Sequence, residues 1–369
     1  MDFTCKLSAF AAQMREFIAR SGEPDSTVSL AQFEGLALEL FALQFAANPA
    51  YRRFCESRGA QPGSLRHWSE IPAVPTAAFK DWDFTCLPPP ERTAVFHSSG
   101  TTAQRPSRHF HCAESLELYR HSAAAWFASA CPEIAKLPAG GPNTRLRFLF
   151  LTPSPEQAPH SSLVDMFHVW RERFGAAGSR FFGRTDADGN WSVACEAVVT
   201  AVQPAAAAGE RLFIAGTAYS FVHLADYLVE HRLKLRLPAG SAALETGGYK
   251  GRSRVLAKDQ LHALMSERLE ISPKLIGTEY GMCELSSQGY AQDGLFRFPP
   301  WARVRVVSPE TGETVREGEL GLIRVFDLAN VYSVLALQTE DIGRRRGEGF
   351  ELIGRAELAE PRGCSLMSV

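Results

Sequence analysis

The feature that most constrains the fold is an alternation running through the middle of the chain. Short apolar runs at 147–151, 211–215 and 274–276 have the length and make-up of buried strands, while 162–174, 221–230 and 257–269 carry helical periodicity. Strands separated by helices do not close hairpins on one another; they build a parallel or mixed sheet covered by helices. The class expected is therefore α/β. Near Trp301 the pattern changes: 302–307 and 320–326 alternate apolar and polar residues across the turn sequence Pro309-Glu310-Thr311-Gly312, and a further strand is expected over 350–353. A small antiparallel β unit follows from that change.

Residues before this region read as helical. Phe3, Leu7, Phe10, Met14, Phe17 and Ile18 share a helical face, and the run from Leu30 to Ala47 starts with a Ser29-x-x-Gln32 capping box and stops at Asn48-Pro49. Glu34 and Glu39 interrupt that apolar run, so a buried helix is expected rather than a membrane span. A shorter helix ends at Gly59, and the proline-punctuated stretch 68–80 reads as extended chain across a surface. At 369 residues the chain exceeds the usual size of a single core. The division expected is 1–90 as an N-terminal helical part, 91–300 as the α/β core, 301–355 as a small β subdomain and 356–369 as a C-terminal tail. With 39 basic against 41 acidic side chains there is no electrostatic reason to expect nucleic acid as a partner. The cysteines form neither a C-x-x-C pair nor a zinc spacing, which suits reduced thiols in the cytoplasm.

Open α/β sheets place ligands beyond the carboxyl ends of their strands. Such a place is expected after Thr93-Ala94-Val95, where Phe96-His97-Ser98-Ser99-Gly100-Thr101-Thr102 offers closely spaced backbone N–H groups and hydroxyls to a polyphosphate. The same residues also suit an ordinary solvent-exposed turn, and no Gly-Lys-Ser/Thr follows to make a Walker A loop. Downstream come Tyr280-Gly281-Met282-Cys283-Glu284, then Thr339-Glu340-Asp341-Ile342-Gly343 in an expected loop, then Gly354-Arg355. Taken singly, Glu284 or Asp341 is an ordinary solvated or capping acid.

In this order the four segments resemble the core motifs of the adenylate-forming superfamily of acyl-CoA synthetases, peptide-synthetase adenylation domains and firefly luciferase. The whole chain further resembles the acyl-protein synthetase family typified by LuxE. It shares Ile71-Pro72-x-x-Pro75-x-x-x-Phe79-Lys80, the Ser-Gly-Thr-Thr loop, Thr246-Gly247-Gly248-Tyr249-Lys250-Gly251, and an ending with Gly354-Arg355-Ala356-Glu357 and Arg362-Gly363-Cys364. The resemblance implies a large adenylate-forming core of helix-covered mixed and parallel sheets plus the small antiparallel β unit, without the mobile C-terminal domain and its catalytic lysine. Adenylation would then proceed without that lysine or with a substitute, for which Lys250 and Lys80 are the candidates.

It also implies ATP and Mg²⁺. Ser98, Ser99, Gly100, Thr101 and Thr102 would wrap the β- and γ-phosphates, and Glu284 with Thr101 would hold the metal. Tyr280 and Gly281 would lie by the adenine, Asp341 would accept from the ribose hydroxyls, and Arg355 would sit near ribose or phosphate. Gly247 and Gly248 would line the nucleotide and acyl pocket. Tyr219, Phe221 and His223 stand where the superfamily forms a pocket wall, although plain core is the other reading of such aromatics. Cys364 would take the acyl group of a carboxylic, fatty acid as a thioester, with Arg362 favouring its thiolate, and pass it to a reductase or transferase partner. The alternatives are a stand-alone acyl- or aryl-CoA-type ligase and a non-catalytic nucleotide-binding subunit.

Overall fold

The computed structural model describes residues 3–20, 29–98, 105–131, 146–249, 255–291 and 293–355. Three helices lead the chain, α1 (Phe3–Arg20), α2 (Leu30–Ala47) and α3 (Pro49–Glu56). Ser29 caps α2 by accepting from the Gln32 amide, and Asn48 ends α2 and caps α3, with Pro49 at the first helical position. α2 is apolar and long enough to cross a membrane, yet Phe33, Leu36, Leu40 and Phe41 lie in the protein core.

The stretch 68–80, expected as surface chain, is instead short helical turns around β1 (Val74–Pro75), which pairs parallel with a later strand. Ile71, Val74 and Phe79 are fully buried. Prolines in this stretch stop regular structure without keeping the segment out of the core, because the apolar residues between them remain free to be buried.

Next comes a separate hairpin, β2 (Ala94–His97) with β3 (Arg108–His111), and helix α4 (Ala113–Ala130). The central sheet follows: β4 (Arg147–Phe150), α5 (Ser162–Phe174), β5 (Arg180–Phe181), the hairpin β6 (Gly183–Thr185) and β7 (Trp191–Val193), α6 (Cys195–Ala207), β8 (Leu212–Thr217), α7 (Ala218–Glu230), β9 (Ala242–Thr246), α8 (Lys258–Leu269), β10 (Ile276–Tyr280) and β11 (Gly289–Ala291). Its order is β11-β10-β9-β8-β4-β5, parallel except for β11. This is the helix-covered α/β sheet that the alternation predicts. The strand expected at 274–276 is displaced: Pro273–Leu275 forms a helical turn and the strand runs on to Tyr280.

The second sheet holds β12 (Leu295–Phe296), β13 (Ala302–Val307), β14 (Leu320–Asp327), β15 (Ala336–Arg346) and β16 (Gly349–Arg355) in the order β12-β16-β15-β14-β13. Its antiparallel character matches the expectation. The segment 338–343, expected as a loop, is the middle of β15. β16 pairs with Asp341–Arg346 and β1 with Leu337 and Gln338, so the early strand extends the sheet where β16 ends. Residues of α1, α2 and α3 share one apolar cluster with residues of β13, β14, β15 and β16, so the two ends of the described chain pack as a unit. Two further clusters lie on either face of the central sheet.

Candidate active site

The described ones among the expected nucleotide residues come from five separate stretches and lie at or beyond the carboxyl ends of β9 and β10. Tyr280 is the last residue of β10, and its hydroxyl donates to Asp341 Oδ2 at 2.7 Å. The ring is buried and meets Phe296 and Phe350 edge-on, with centroids 5.8 and 5.3 Å away. Asp341 and Arg355 are cross-strand partners on β15 and β16, and Arg355 Nη2 reaches Glu340 Oε2 at 2.7 Å. Burial pushes the Asp341 carboxyl above the ordinary aspartate range, against the opposing pull of the Tyr280 hydroxyl and Arg355. A strand position fixes this carboxylate more firmly than the expected loop would, because Asp341 is paired with Arg355 of β16 and the adjacent Ile342 with Leu322 of β14.

Glu284 is also buried, in the loop after Tyr280. Burial raises its carboxyl, while the Ser107 hydroxyl and the Cys283 side chain donate to it and draw it back down. Ser107 N in turn donates to Ser98 Oγ at 2.9 Å, and Ser98 N to Ser107 O at 3.2 Å. Ser98 therefore closes the base of the β2–β3 hairpin, and the serine- and threonine-rich segment is the connection between two antiparallel strands. This corrects the expectation that the segment follows a strand of the main sheet. The hairpin still stands over the carboxyl ends of that sheet: His97 N donates to His160 O in the loop after β4, and His109 Nδ1 lies 2.6 Å from Cys283 O.

The loop that carries Glu284 is anchored by residues that sequence reasoning does not find. Asp327, fully buried at the end of β14, accepts from Ser286 N at 2.9 Å, Ser287 Oγ at 2.8 Å and Ala329 N at 3.0 Å. Asn330 donates to Glu284 O at 3.0 Å and accepts from Ser286 Oγ at 3.0 Å. The only signal in the sequence is an Asp and an Asn closing an apolar strand, which ordinary turns share.

Gly247 and Gly248 follow β9, and the register Thr246 to Glu279 sets them beside Tyr280. A Cβ at either would meet nothing within 4 Å among the described residues, and Gly248 has φ +105°. This leaves open space against the Tyr280 side of the site. Phe221, expected as a pocket wall, is packed in an apolar core cluster, and His223 Nδ1 lies 3.4 Å from Val193 N; their α7 face covers the sheet. Lys80 closes the turn Thr76–Lys80. Ser99, Gly100, Thr101, Thr102, Lys250 and Cys364 lie outside the described residues.

Family comparison identifies the enzyme class that this arrangement belongs to. Residues 174–368 match the family described as acyl-protein synthetase, LuxE. The chain belongs to that family. Its members are acyl-protein synthetases, so this protein is an enzyme, a ligase that activates an acyl group. A long-chain-fatty-acid–luciferin-component ligase of Vibrio harveyi is 22% identical over 391 aligned positions, covering 98% of this chain and 96% of the relative. Among solved structures, an open conformation of 2-hydroxyisobutyryl-CoA ligase with 2-HIB-AMP and CoA superposes with a TM-score of 0.63 at 17% identity, over 90% of this chain and 79% of that one. The same ligase in its thioesterification state gives 0.61 at 18% identity, over 89% and 69%. The fold is thus that of the adenylate-forming core, as the four motifs imply.

Proposed function

We propose that this LuxE-family enzyme activates a fatty acid, captures it on Cys364 as a thioester and hands it to a partner protein that reduces or transfers it. The observation that carries the site assignment is the pairing of two contact groups, Tyr280 with Asp341 and Glu284 with Ser107 and Ser98, with the charge of Arg355 acting on both Asp341 and Glu284. ATP would lie across the two groups. Its adenine would sit by Tyr280 and Gly281 over Gly247 and Gly248, its ribose hydroxyls would donate to Asp341, and Arg355 would face ribose or phosphate. Ser98, Ser99, Gly100, Thr101 and Thr102 would surround the β- and γ-phosphates.

Among the described residues no group of three or more His, Cys, Asp or Glu could hold a metal alone. The buried Glu284 carboxyl nevertheless fits Mg²⁺, which takes one or two protein oxygens and completes its shell with phosphate oxygens and water. Glu284 and Thr101 would hold it, and when bound it would neutralise charge building on the phosphates. The acid's carboxylate oxygen attacks the α-phosphorus, the bond to the bridging oxygen breaks, and pyrophosphate leaves. Hydroxyl and N–H donors of the 98–102 segment stabilise the charge that moves to the leaving oxygens. The Cys364 thiolate then attacks the acyl carbon, AMP departs with its electron pair, and the acyl-enzyme remains. A thiol kept reduced for this work suits the cytoplasm.

The test is intact-protein mass after incubation with ATP, Mg²⁺ and a panel of carboxylic acids. One added acyl group, labile to hydroxylamine and absent from Cys364→Ser, is expected. Release of AMP only in the presence of CoA, with no acyl group left on the protein, would select the CoA-type ligase instead.

A further inference from the structure

A cleft of about 310 Å³ opens between the 58–73 stretch and β14, and none of the residues assigned to the nucleotide lines it. Arg58 and Arg324 line it together with Leu65, Ile71, Pro72 and Ala73. The two cations come from opposite ends of the sequence: Arg58 follows α3, and Arg324 stands in the middle of β14.

Each guanidinium is held by contacts that leave part of it unused. Arg58 lies over the Phe54 ring, 3.6 Å from its centroid, and its Nη1 donates to Phe54 O and Ser57 Oγ, both at 3.2 Å. Arg324 Nε donates to Gln338 Oε1 at 2.8 Å. Among the described residues, Arg58 Nε and Nη2 and both Nη atoms of Arg324 find no acceptor, and neither side chain pairs with a carboxylate. Glu70 also lines the cleft, but its Oε2 is committed to Arg66 N at 2.7 Å and His67 N at 3.2 Å.

Strand register adds to the imbalance of charge. Arg305 of β13 is the direct cross-strand partner of Arg324, and like charges set opposite each other on neighbouring strands destabilise a sheet. Arg305 bonds Thr314 and lies 3.5 Å from Ser69 O, so it brings no acid with it. Burial first, and then the charge of Arg305, draw the half-buried Arg324 below the usual guanidinium range. A half-buried cation facing another cation is costly to keep unless an anion completes it.

We propose that this cleft is a second ligand site, which takes the phosphate of a small phosphomonoester between Arg58 and Arg324 and its apolar body against Leu65, Ile71, Pro72 and Ala73. A phosphomonoester carries a charge of about −1.5 to −2 at pH 7, which suits two guanidinium groups, and their N–H edges match its oxygens. The cleft's size is at the lower end of the range for ligand pockets, about 300 to 1,000 Å³, so the ligand is compact.

The test is isothermal titration of the whole chain with n-butyl phosphate and, separately, with inorganic phosphate, each against a sodium chloride blank of equal ionic strength. Arg324→Gln and Arg58→Gln are titrated alongside. Phosphate bound at the nucleotide residues stays in both variants, so the difference from wild type reads the cleft alone. One equivalent of butyl phosphate is expected to bind at least tenfold more weakly in each variant. Arg324→Gln also relieves the repulsion with Arg305, so its melting temperature without ligand should be no lower than that of the wild type, which loss of a merely structural contact would not give. Acid-dependent ATP–pyrophosphate exchange, to which neither arginine contributes, reports the folded fraction of each preparation. Inorganic phosphate bound as tightly as butyl phosphate, and equally sensitive to both substitutions, would keep the site and name the free ion as its ligand. The site is overturned if the wild type binds neither phosphate above the chloride blank, or if either variant binds as the wild type does.

Discussion

Replacing Glu279 by Gln should make the protein more stable, and by an amount that grows with pH. Burial, and then the nearby charge of Glu245, push the Glu279 carboxyl from the ordinary 4.5 up to about 8. Between those two values the folded protein holds a proton that the unfolded chain has released. Stability conferred on the folded state by that proton is therefore full below pH 4.5 and is lost as pH rises towards 8. At about 1.4 kcal/mol per pH unit, the loss is on the order of 3 kcal/mol by pH 7 and of 4 kcal/mol by pH 8, where the folded carboxyl is half ionised. Glutamine has nearly the shape of the protonated acid and does not titrate. The groups facing Glu279 from adjoining elements are Tyr119, Tyr290 and Glu245. Burial raises both tyrosines above their usual range, so they stay neutral throughout the window, and Glu245 is common to the two proteins. Urea unfolding of both at pH 5, 7 and 8.5 makes the measurement. The variant should be ahead by only about 1 kcal/mol at pH 5 and by about 3 kcal/mol at pH 7. A difference that does not change between pH 5 and 8.5 refutes the reasoning, because it would mean that Glu279 keeps one protonation state across the range.

Other substitutions test the site's supports. Asp327→Ala removes the acceptor for Ser286 N, Ser287 Oγ and Ala329 N; a loss of about 3 kcal/mol in denaturant unfolding is expected, together with a fall in exchange rate as Glu284 loses its support. Tyr280→Phe deletes the 2.7 Å bond to Asp341 and should raise the KM for ATP several-fold at a stability cost of about 1 kcal/mol, whereas an unaltered KM would separate Tyr280 from the nucleotide. Glu284→Gln should raise the Mg²⁺ concentration needed for half-maximal exchange, which a magnesium titration at fixed ATP reads directly. Gln44→Ala breaks the bonds from α2 to the 330–335 turn, donated to Asn330 O and Val331 O and accepted from Leu335 N; about 3 kcal/mol should be lost, with the KM for the acid unmoved in the folded fraction.

Much of the architecture is legible in the sequence because it depends on local periodicity. Helix α2 starts at its Ser29 cap and ends at Asn48, α5 spans the expected residues, and the antiparallel strands around Pro309-Glu310-Thr311-Gly312 form as patterned. Strand β9 escapes a reading by pattern, since Ala242 to Thr246 is short and leads straight into glycines. α4 and α6 escape it as well. Their alanine-rich sequences weaken the contrast between faces on which a helical reading relies.

The order of motifs along the chain is enough to indicate the superfamily, and it is through that resemblance that Tyr280, Glu284, Asp341 and Arg355 are expected at the site. Their mutual distances belong to the tertiary fold. Asp341 meets Tyr280 because β15 and β16 pair over it, and Ser107 meets Glu284 because the β2–β3 hairpin, not a strand of the main sheet, carries it. Glu279 shows the limit most clearly: in sequence it is one acid beside a motif tyrosine, and only packing reveals that burial, with the nearby Glu245 charge, pushes its carboxyl up. Local sequence sets the period of each element, which is a short-range property. Contacts between residues far apart in the chain depend on how all the elements pack at once, so no local pattern encodes them.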